Sequence, residues 1–321
     1  MTSKRTPELV TAASNQTVEH EEPGIGYVNG HFVPLMEAAI PLLDWGFNKS
    51  DVVYDGIPFH EGRIFRLDDH LQRFEESMSK WRLPHPRTRQ AMAEICQELV
   101  ARSGMRDGII YLCTTRGIPP SAEVRDPAQF TSRLYGWSQS VPQLGVDDTG
   151  GLSMIISAVP RIPETSVDAT AKNFHWGDLI QARLEAGDRG AQNAILLGHS
   201  GFVAEGVGFN VFIVSGGIIR TPEHDCLKGI TRRTVMEIAA EMGLECRSDN
   251  VSPDELMSAD EIFITSSAGG IFPVTQIEDQ SVGGTGTAGR VTTAIRDRYW
   301  EWRVMPEHST AVDYTHHTLG D

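Results

Sequence analysis

Lysine is the scarce residue of this 321-residue chain. Of 28 basic residues five are lysines, Lys4, Lys49, Lys80, Lys172 and Lys228, which leaves 23 arginines. Long apolar runs are missing as well, so no membrane span is expected. Residues 1–25 have no apolar core of the kind a secretion signal needs, and they read as a mobile N-terminal arm. Positive charge is in deficit. The net charge of −15 argues against nucleic acid as a partner, because phosphate backbones need a basic surface. Only four cysteines occur, Cys96, Cys113, Cys226 and Cys246, no two at a metal or redox spacing. That pattern predicts no metal site and a reducing, cytoplasmic setting with free thiols.

What is present is an ordinary apolar fraction of 40% and a length that suggests two units. "GYVNGHFVP" (26–34) carries Asn29-Gly30 between β-prone runs, a tight-hairpin signal. A second hairpin is expected from "VVYDGIPF" (52–59) to "RIFRL" (63–67). Asp68 is expected to cap a helix with Leu71, Phe74, Met78 and Trp81 on its apolar face. Thr88 should open another helix that ends at Gly104. Strands follow at 108–115 and 130–138, giving a small α/β unit over 26–140. Gly, Pro and Asp cluster in 141–151, the expected linker. Beyond it, 152–321 shows strands at 152–159, 193–198, 208–214 and 261–266, with helices near 178–189, 231–242 and 288–303. No regular βαβ alternation is visible, which disfavours a Rossmann sheet or a TIM barrel.

Four pieces carry chemistry. Lys172 stands in "SVDATAKNFHWGDL" (166–179) beside Asn173, Phe174 and Trp176. A buried ammonium loses hydration, so its neutral amine becomes a nucleophile toward an aldehyde. Glu205 lies in "VAEGVGFNVFIV" (203–214) and could face a ring nitrogen, with Gly206 and Gly208 allowing close approach. "LKGITRRTVMEIAAEMG" (227–243) opens an amphipathic helix at Gly-Ile-Thr, where Ile230 and Thr231 could hold a phosphate. "TSSAGGIFPV" (265–274) offers further N–H groups to an anion, and Arg73 could add a bidentate contact. Taken singly, each has an ordinary structural explanation: a solvated lysine, a turn glutamate, a threonine cap, a tight turn, a surface arginine.

Their order along the chain resembles that of the fold-type IV pyridoxal-phosphate enzymes, the branched-chain and D-amino-acid transaminase group. The (R)-selective amine transaminases are the members it resembles most. The stretches that carry the likeness include "FRLDDHLQRF" (65–74), "KNFHWGDL" (172–179), "AEGVGFNVFIV" (204–214), "GITRRTV" (229–235) and "SSAGGIFPVT" (266–275). The resemblance implies an α/β (α+β) fold: a small N-terminal α/β domain and a larger C-terminal domain with a β-barrel-like core. It implies pyridoxal 5′-phosphate as cofactor, a homodimer with shared sites, and small-molecule amine and keto acid as partners. Lys172 would carry the cofactor as a Schiff base and shuttle a proton, and Glu205 would pair with its ring nitrogen. Arg73, Ile230, Thr231, Ser267 and Ala268 would hold the phosphate, with Leu227 packed on the ring.

For the substrate, the resemblance assigns Tyr54, Phe174, Trp176 and Gly208 to the pocket. Gly56 resembles the branched-chain enzymes, although Pro58 stands where those have an arginine. Ile109 and Tyr111 fall on the next strand, and Tyr111 resembles the D-amino-acid enzymes. Lys49 replaces a histidine common in the amine transaminases. A keto acid needs a movable cation, for which Arg125 is the first candidate, ahead of Arg116 and Arg133. The reading is a ping-pong (R)-amine transaminase using an acceptor such as pyruvate. The alternatives are a D-amino-acid or branched-chain transaminase, or a lyase resembling aminodeoxychorismate lyase.

Overall fold

A computed structural model describes residues 24–141 and 150–315; the rest of the expected arm and most of the expected linker lie outside the described residues. The chain opens with β1 (Ile25–Val28) and β2 (His31–Pro34), joined through Asn29 and Gly30, both at positive φ as such a turn requires. A short helix α1 (Trp45–Asn48) precedes the paired strands β3 (Val52–His60) and β4 (Arg63–Phe65). Two helices follow, α2 (Leu67–Lys80) and α3 (Arg89–Ser103), then β5 (Gly108–Thr115) and β6 (Arg133–Gln139). Asp68 is not the cap of α2. Arg66, left-handed at φ 53, occupies that position, and Asp68 lies in the first turn. Thr88 does cap α3 through Ala91 N, and Gly104 closes it at φ 69.

The second half contains β7 (Leu152–Ile156), α4 (Gly177–Asp188), β8 (Asn193–Leu197), β9 (Val203–Gly206), β10 (Asn210–Ser215) and β11 (Ile218–Pro222). It continues with α5 (Ile230–Glu241), β12 (Cys246–Asp249), α6 (Pro253–Met257), β13 (Glu261–Ser266), β14 (Gly270–Ile277), β15 (Gln280–Ser281) and α7 (Arg290–Val304). The last strand, β16 (Ser309–Ala311), returns to pair with β4. The first sheet therefore runs β16-β4-β3-β5-β6-β1-β2, and part of the expected 152–321 domain belongs to it.

The second sheet runs β12-β11-β10-β13-β14-β7-β8-β9. It curls until β9 meets β10 again, where Gly206 N donates to Phe209 O at 3.0 Å. The result is the expected barrel-like core in a mixed α/β fold. Two parallel strand–helix–strand units, β7–α4–β8 and β11–α5–β12, sit inside it, which the sequence pattern did not suggest. Its interior is apolar, with Met154, Ile195, Val211, Ile213 and Ile262 buried together. A separate core under the first sheet holds Ile57, Leu71, Phe74, Met78, Met92 and Leu99, the apolar faces expected of α2 and α3. No helix of the described residues is long and apolar enough to cross a membrane.

Candidate active site

Lys172 lies where the two halves meet. Its carbonyl accepts from Tyr54 N of β3 at 3.0 Å, and its amide donates to Ser77 Oγ of α2 at 3.1 Å. Asn173 bridges to Val53, and its Oδ1 accepts from His175 N at 2.8 Å. The lysine is thus pinned on both sides by backbone contacts. Nζ sits 4.5 Å from the centroid of the Tyr54 ring. Burial, reinforced by the Arg73 charge, pushes the amine down to about 8, against the pull of Asp55 and Glu205.

A cavity with about 610 Å³ of empty space opens around that amine. Glu205 of β9 lines it, buried at 6% exposure. Its Oε1 accepts from Arg161 Nε at 2.9 Å and its Oε2 from Leu227 N at 3.0 Å. Arg161 also reaches Asp178 Oδ2 at 2.5 Å, so one guanidinium ties two buried carboxylates together. Burial nevertheless raises the Glu205 carboxyl above its usual range, so it holds a proton more readily than a surface glutamate.

The far end of the cavity is built from Gly229, Ile230 and Thr231. Gly229 is the N-cap of α5, and among the described residues no side chain caps that helix, so its first amides have no side-chain competitor there. Asn210 Nδ2 holds the loop by donating to Leu227 O at 2.7 Å. Across the gap stand Thr265, Ser266 and Ser267 at the β13–β14 turn. Thr265 Oγ1 is buried with no hydrogen-bond partner among the described residues, an unmet polar group beside the cavity. Arg73 completes this end.

The cavity therefore gathers Lys172, Arg73, Glu205, Leu227, Ile230, Thr231, Ser267, Tyr54, Trp176 and Gly208 from the sequence reading. Gly208 is at φ 82, and a Cβ there would come within 3.2 Å of the Trp176 ring. Six expected substrate residues and one phosphate residue lie elsewhere. Ala268 lines a small neighbouring cavity with His60 and Arg303. Phe174 is 39% exposed, its ring 4.5 Å from that of Tyr54. Gly56, Ile109 and Tyr111 form a packed patch behind Tyr54, where a Cβ on Gly56 would touch both neighbours. Lys49 and Arg125 share a separate groove between α1 and the loop after β5. Arg116 is fixed, forked onto Asp51 at 2.8 and 3.1 Å, which removes it as a movable cation.

Four buried partners were missed: Arg161, Asp178, Asp55 and His70. Asp55 left a signal, a charge inside the otherwise uncharged strand "VVYDGIPF". Arg161, in a loop between prolines, left none.

A buried amine of lowered basicity, an anion cradle and a proton-holding carboxyl define an enzyme that condenses with carbonyl compounds. Known proteins agree. The profile of the family described as amino-transferase class IV matches residues 52–277. The D-alanine aminotransferase of Bacillus licheniformis is 30% identical over 270 residues, 84% of this chain and 93% of its own. The aminodeoxychorismate lyase of Bacillus subtilis (strain 168) is 29% identical over 278 residues, 85% of this chain and 92% of its own. Among solved structures, the branched-chain amino acid aminotransferase from Thermobaculum terrenum, in its PLP form, matches at 27% identity and TM-score 0.82. That match covers 91% of this chain and 99% of the other. This chain belongs to the amino-transferase class IV family, and it is an aminotransferase.

Proposed function

We propose that this aminotransferase uses pyridoxal 5′-phosphate to move amino groups between amino acids and keto acids, as the names of its branched-chain and D-alanine relatives describe. The observation that carries the cofactor is the spacing of Lys172, Glu205 and the α5 N-terminus around one cavity. The residues fit the group: a neutral amine for its aldehyde, a carboxyl for its ring nitrogen, and Arg73 with Ile230, Thr231 and Ser267 for its phosphate. When bound, that cofactor supplies an electron sink for the carbanion formed as the substrate Cα–H breaks. The chain supplies the rest. Lys172 Nζ would take and return the proton, since burial and the Arg73 charge make its amine less basic than an exposed lysine's. Glu205, held in register by Arg161 and Leu227 N, would hold a proton at the ring nitrogen. Trp176 and Tyr54 wall the site.

A second reading has its own support. Both arginines of the cavity are engaged: Arg73 by Asp55, Arg161 by Glu205 and Asp178. Neither is left to meet a substrate carboxylate, which favours a donor without one, such as a primary (R)-amine. Arg125, in its own groove, would then serve the keto acid only if a second copy of the chain brought it close. Such a copy has a place to dock. Met36, Ile40, Leu42, Leu43 and Phe47 are exposed together on the segment before β3, with Leu42 at 74%. A homodimer would cover them. The four free cysteines fit a cytoplasmic setting.

The test is the visible spectrum of the protein loaded with pyridoxal phosphate. D-alanine, L-leucine, (R)-1-phenylethylamine and the (S) amine are added separately without acceptor. Bleaching by an amino acid supports the first reading, and bleaching by the (R) amine alone supports the second. Failure to form any band removes both. Pyruvate release from aminodeoxychorismate without acceptor would point to the lyase instead.

A further inference from the structure

Behind the cavity lies a cluster of ionisable side chains, of which only Arg73 reaches the cavity wall. Asp55 is fully buried at 0% exposure, and His70 and Arg73 beside it are at 1% and 7%. Asp55 projects from β3; His70 and Arg73 are three residues apart on α2. Asp55 Oδ1 accepts from Arg73 Nη2 at 2.8 Å and contacts His70 Nδ1 at 2.7 Å. Asp55 Oδ2 accepts from Arg73 Nε at 2.8 Å. Two of the three guanidinium nitrogens are thereby spent. The third, Nη1, points to Lys228 O at 3.5 Å, at the start of the α5 cradle.

Arg73 has a second place to go. It also lines an outer groove between α2 and α5, where Lys80, Lys228, Arg232 and Arg233 stand beside Asp69 and Glu76 and Asp69 is already paired with Arg66 and Arg233. A guanidinium freed from Asp55 would lose its fixed direction at the wall between that groove and the inner cavity. Burying a carboxylate is costly unless it is paired and hydrogen-bonded, so three contacts on one aspartate form a rigid clamp. The groups facing Lys172 are few: Arg73 from α2, Asp55 and Tyr54 from β3, and Glu205 from β9.

We infer that Asp55, oriented by His70, is a positioning residue that keeps Arg73 on the cofactor side of the wall and offsets its charge at Lys172. This rests on the pyridoxal-phosphate reading above. Two consequences follow, one for phosphate and one for the lysine. Only ligands with a phosphate feel Arg73, so the clamp discriminates pyridoxal phosphate from pyridoxal. Without Asp55, the uncompensated guanidinium drives Lys172 further from its ordinary basicity.

The experiment titrates pyridoxal phosphate and pyridoxal into wild type, Asp55→Asn, Arg73→Gln and the double variant, and follows the visible band against pH. Asp55→Asn should weaken pyridoxal phosphate about tenfold, the scale of a charge-assisted contact, and leave pyridoxal within about twofold. Its effect should vanish in the Arg73→Gln background. The pH midpoint of the band should move to lower pH. His70→Asn, which keeps the ion pair, should show the same pattern at smaller size. Equal weakening of both ligands, or an unmoved midpoint with only a lower melting temperature, would reduce Asp55 to a packing role and overturn the inference. A wild-type protein that forms no band would instead sink the cofactor reading itself.

Discussion

Lys172 shows how a single residue trades stability for reactivity. Its amine is held at about 8 against an ordinary 10.5, so the folded state disfavours the ammonium that the unfolded chain carries. The penalty is complete below pH 8 and fades as pH rises toward 10.5, because the unfolded state binds the extra proton in that window. Lys172→Met should therefore abolish the visible band yet raise the melting temperature at pH 7 by a few degrees, with the gain shrinking as pH climbs through that window. Thermal scans across pH check this; a destabilised variant at pH 7 would contradict it. By the same sign, capture of pyridoxal phosphate by the unloaded protein should quicken as pH rises and level off above about 8.

Arg161 is the counter-case. It pairs with two carboxyl groups, Glu205 and Asp178, both largely buried. Arg161→Met should cost about 3–5 kcal/mol, the usual cost of leaving a buried charge without its partner. Urea melts measure it, and a loss under about 1 kcal/mol would mean the carboxylates find other partners or take up protons without penalty.

At the scale of elements, the start of α5 is a tightly packed piece of the site. A Cβ on Gly229 would collide with Asn210 Oδ1, on the side chain whose amide holds Leu227 O. Gly229→Ala should lower affinity for pyridoxal phosphate about tenfold or more and destabilise the fold by about 1–3 kcal/mol, as overpacking does. Equilibrium titration and melting together test it, and an unchanged affinity would show that the loop yields.

This scale also shows what the sequence makes legible. The hairpin at Asn29-Gly30, α3 between Thr88 and Gly104, and the opening of α5 are set by local chemistry, and they stand where the residues put them. Arg66 escaped notice as the cap of α2 because its left-handed position is held by tertiary partners, Glu237 and the His308 carbonyl. Strand β12 escaped because its parallel pairing with β11 spans α5, whereas β11 and β14 pair with their chain neighbours through short turns, and the Gly216-Gly217 turn before β11 was a local signal left unread. That Lys172, Glu205 and the Gly-Ile-Thr turn come together was legible through order along the chain, and all three line one cavity. Arg161 was not, since its role exists only once β9 and α4 converge on it. The groove holding Lys49 and Arg125 could not be placed from spacing at all.

For the whole molecule, the exposed apolar segment before β3 predicts self-association. Leu42→Asp with Phe47→Asp should convert a dimer to a monomer in sedimentation and weaken turnover with a keto acid, if Arg125 acts across the interface. A wild-type monomer at micromolar concentration would end that reading.

The return of β16 to the first sheet has a topological meaning. The barrel-like unit is an insertion in the first one, entered after β6 and left through α7. Arg66 N bonds His308 O at 2.8 Å, Arg63 Nε bonds Ser309 Oγ at 2.8 Å, and Val312 N bonds Gly62 O at 3.0 Å, so the exit is stitched as firmly as a sheet edge. A body tethered at one point swings; a body tethered at two can only tilt about the line between them. The mouth of the catalytic cleft should open about a single axis, and cutting the chain before Glu307 should turn one calorimetric transition into two.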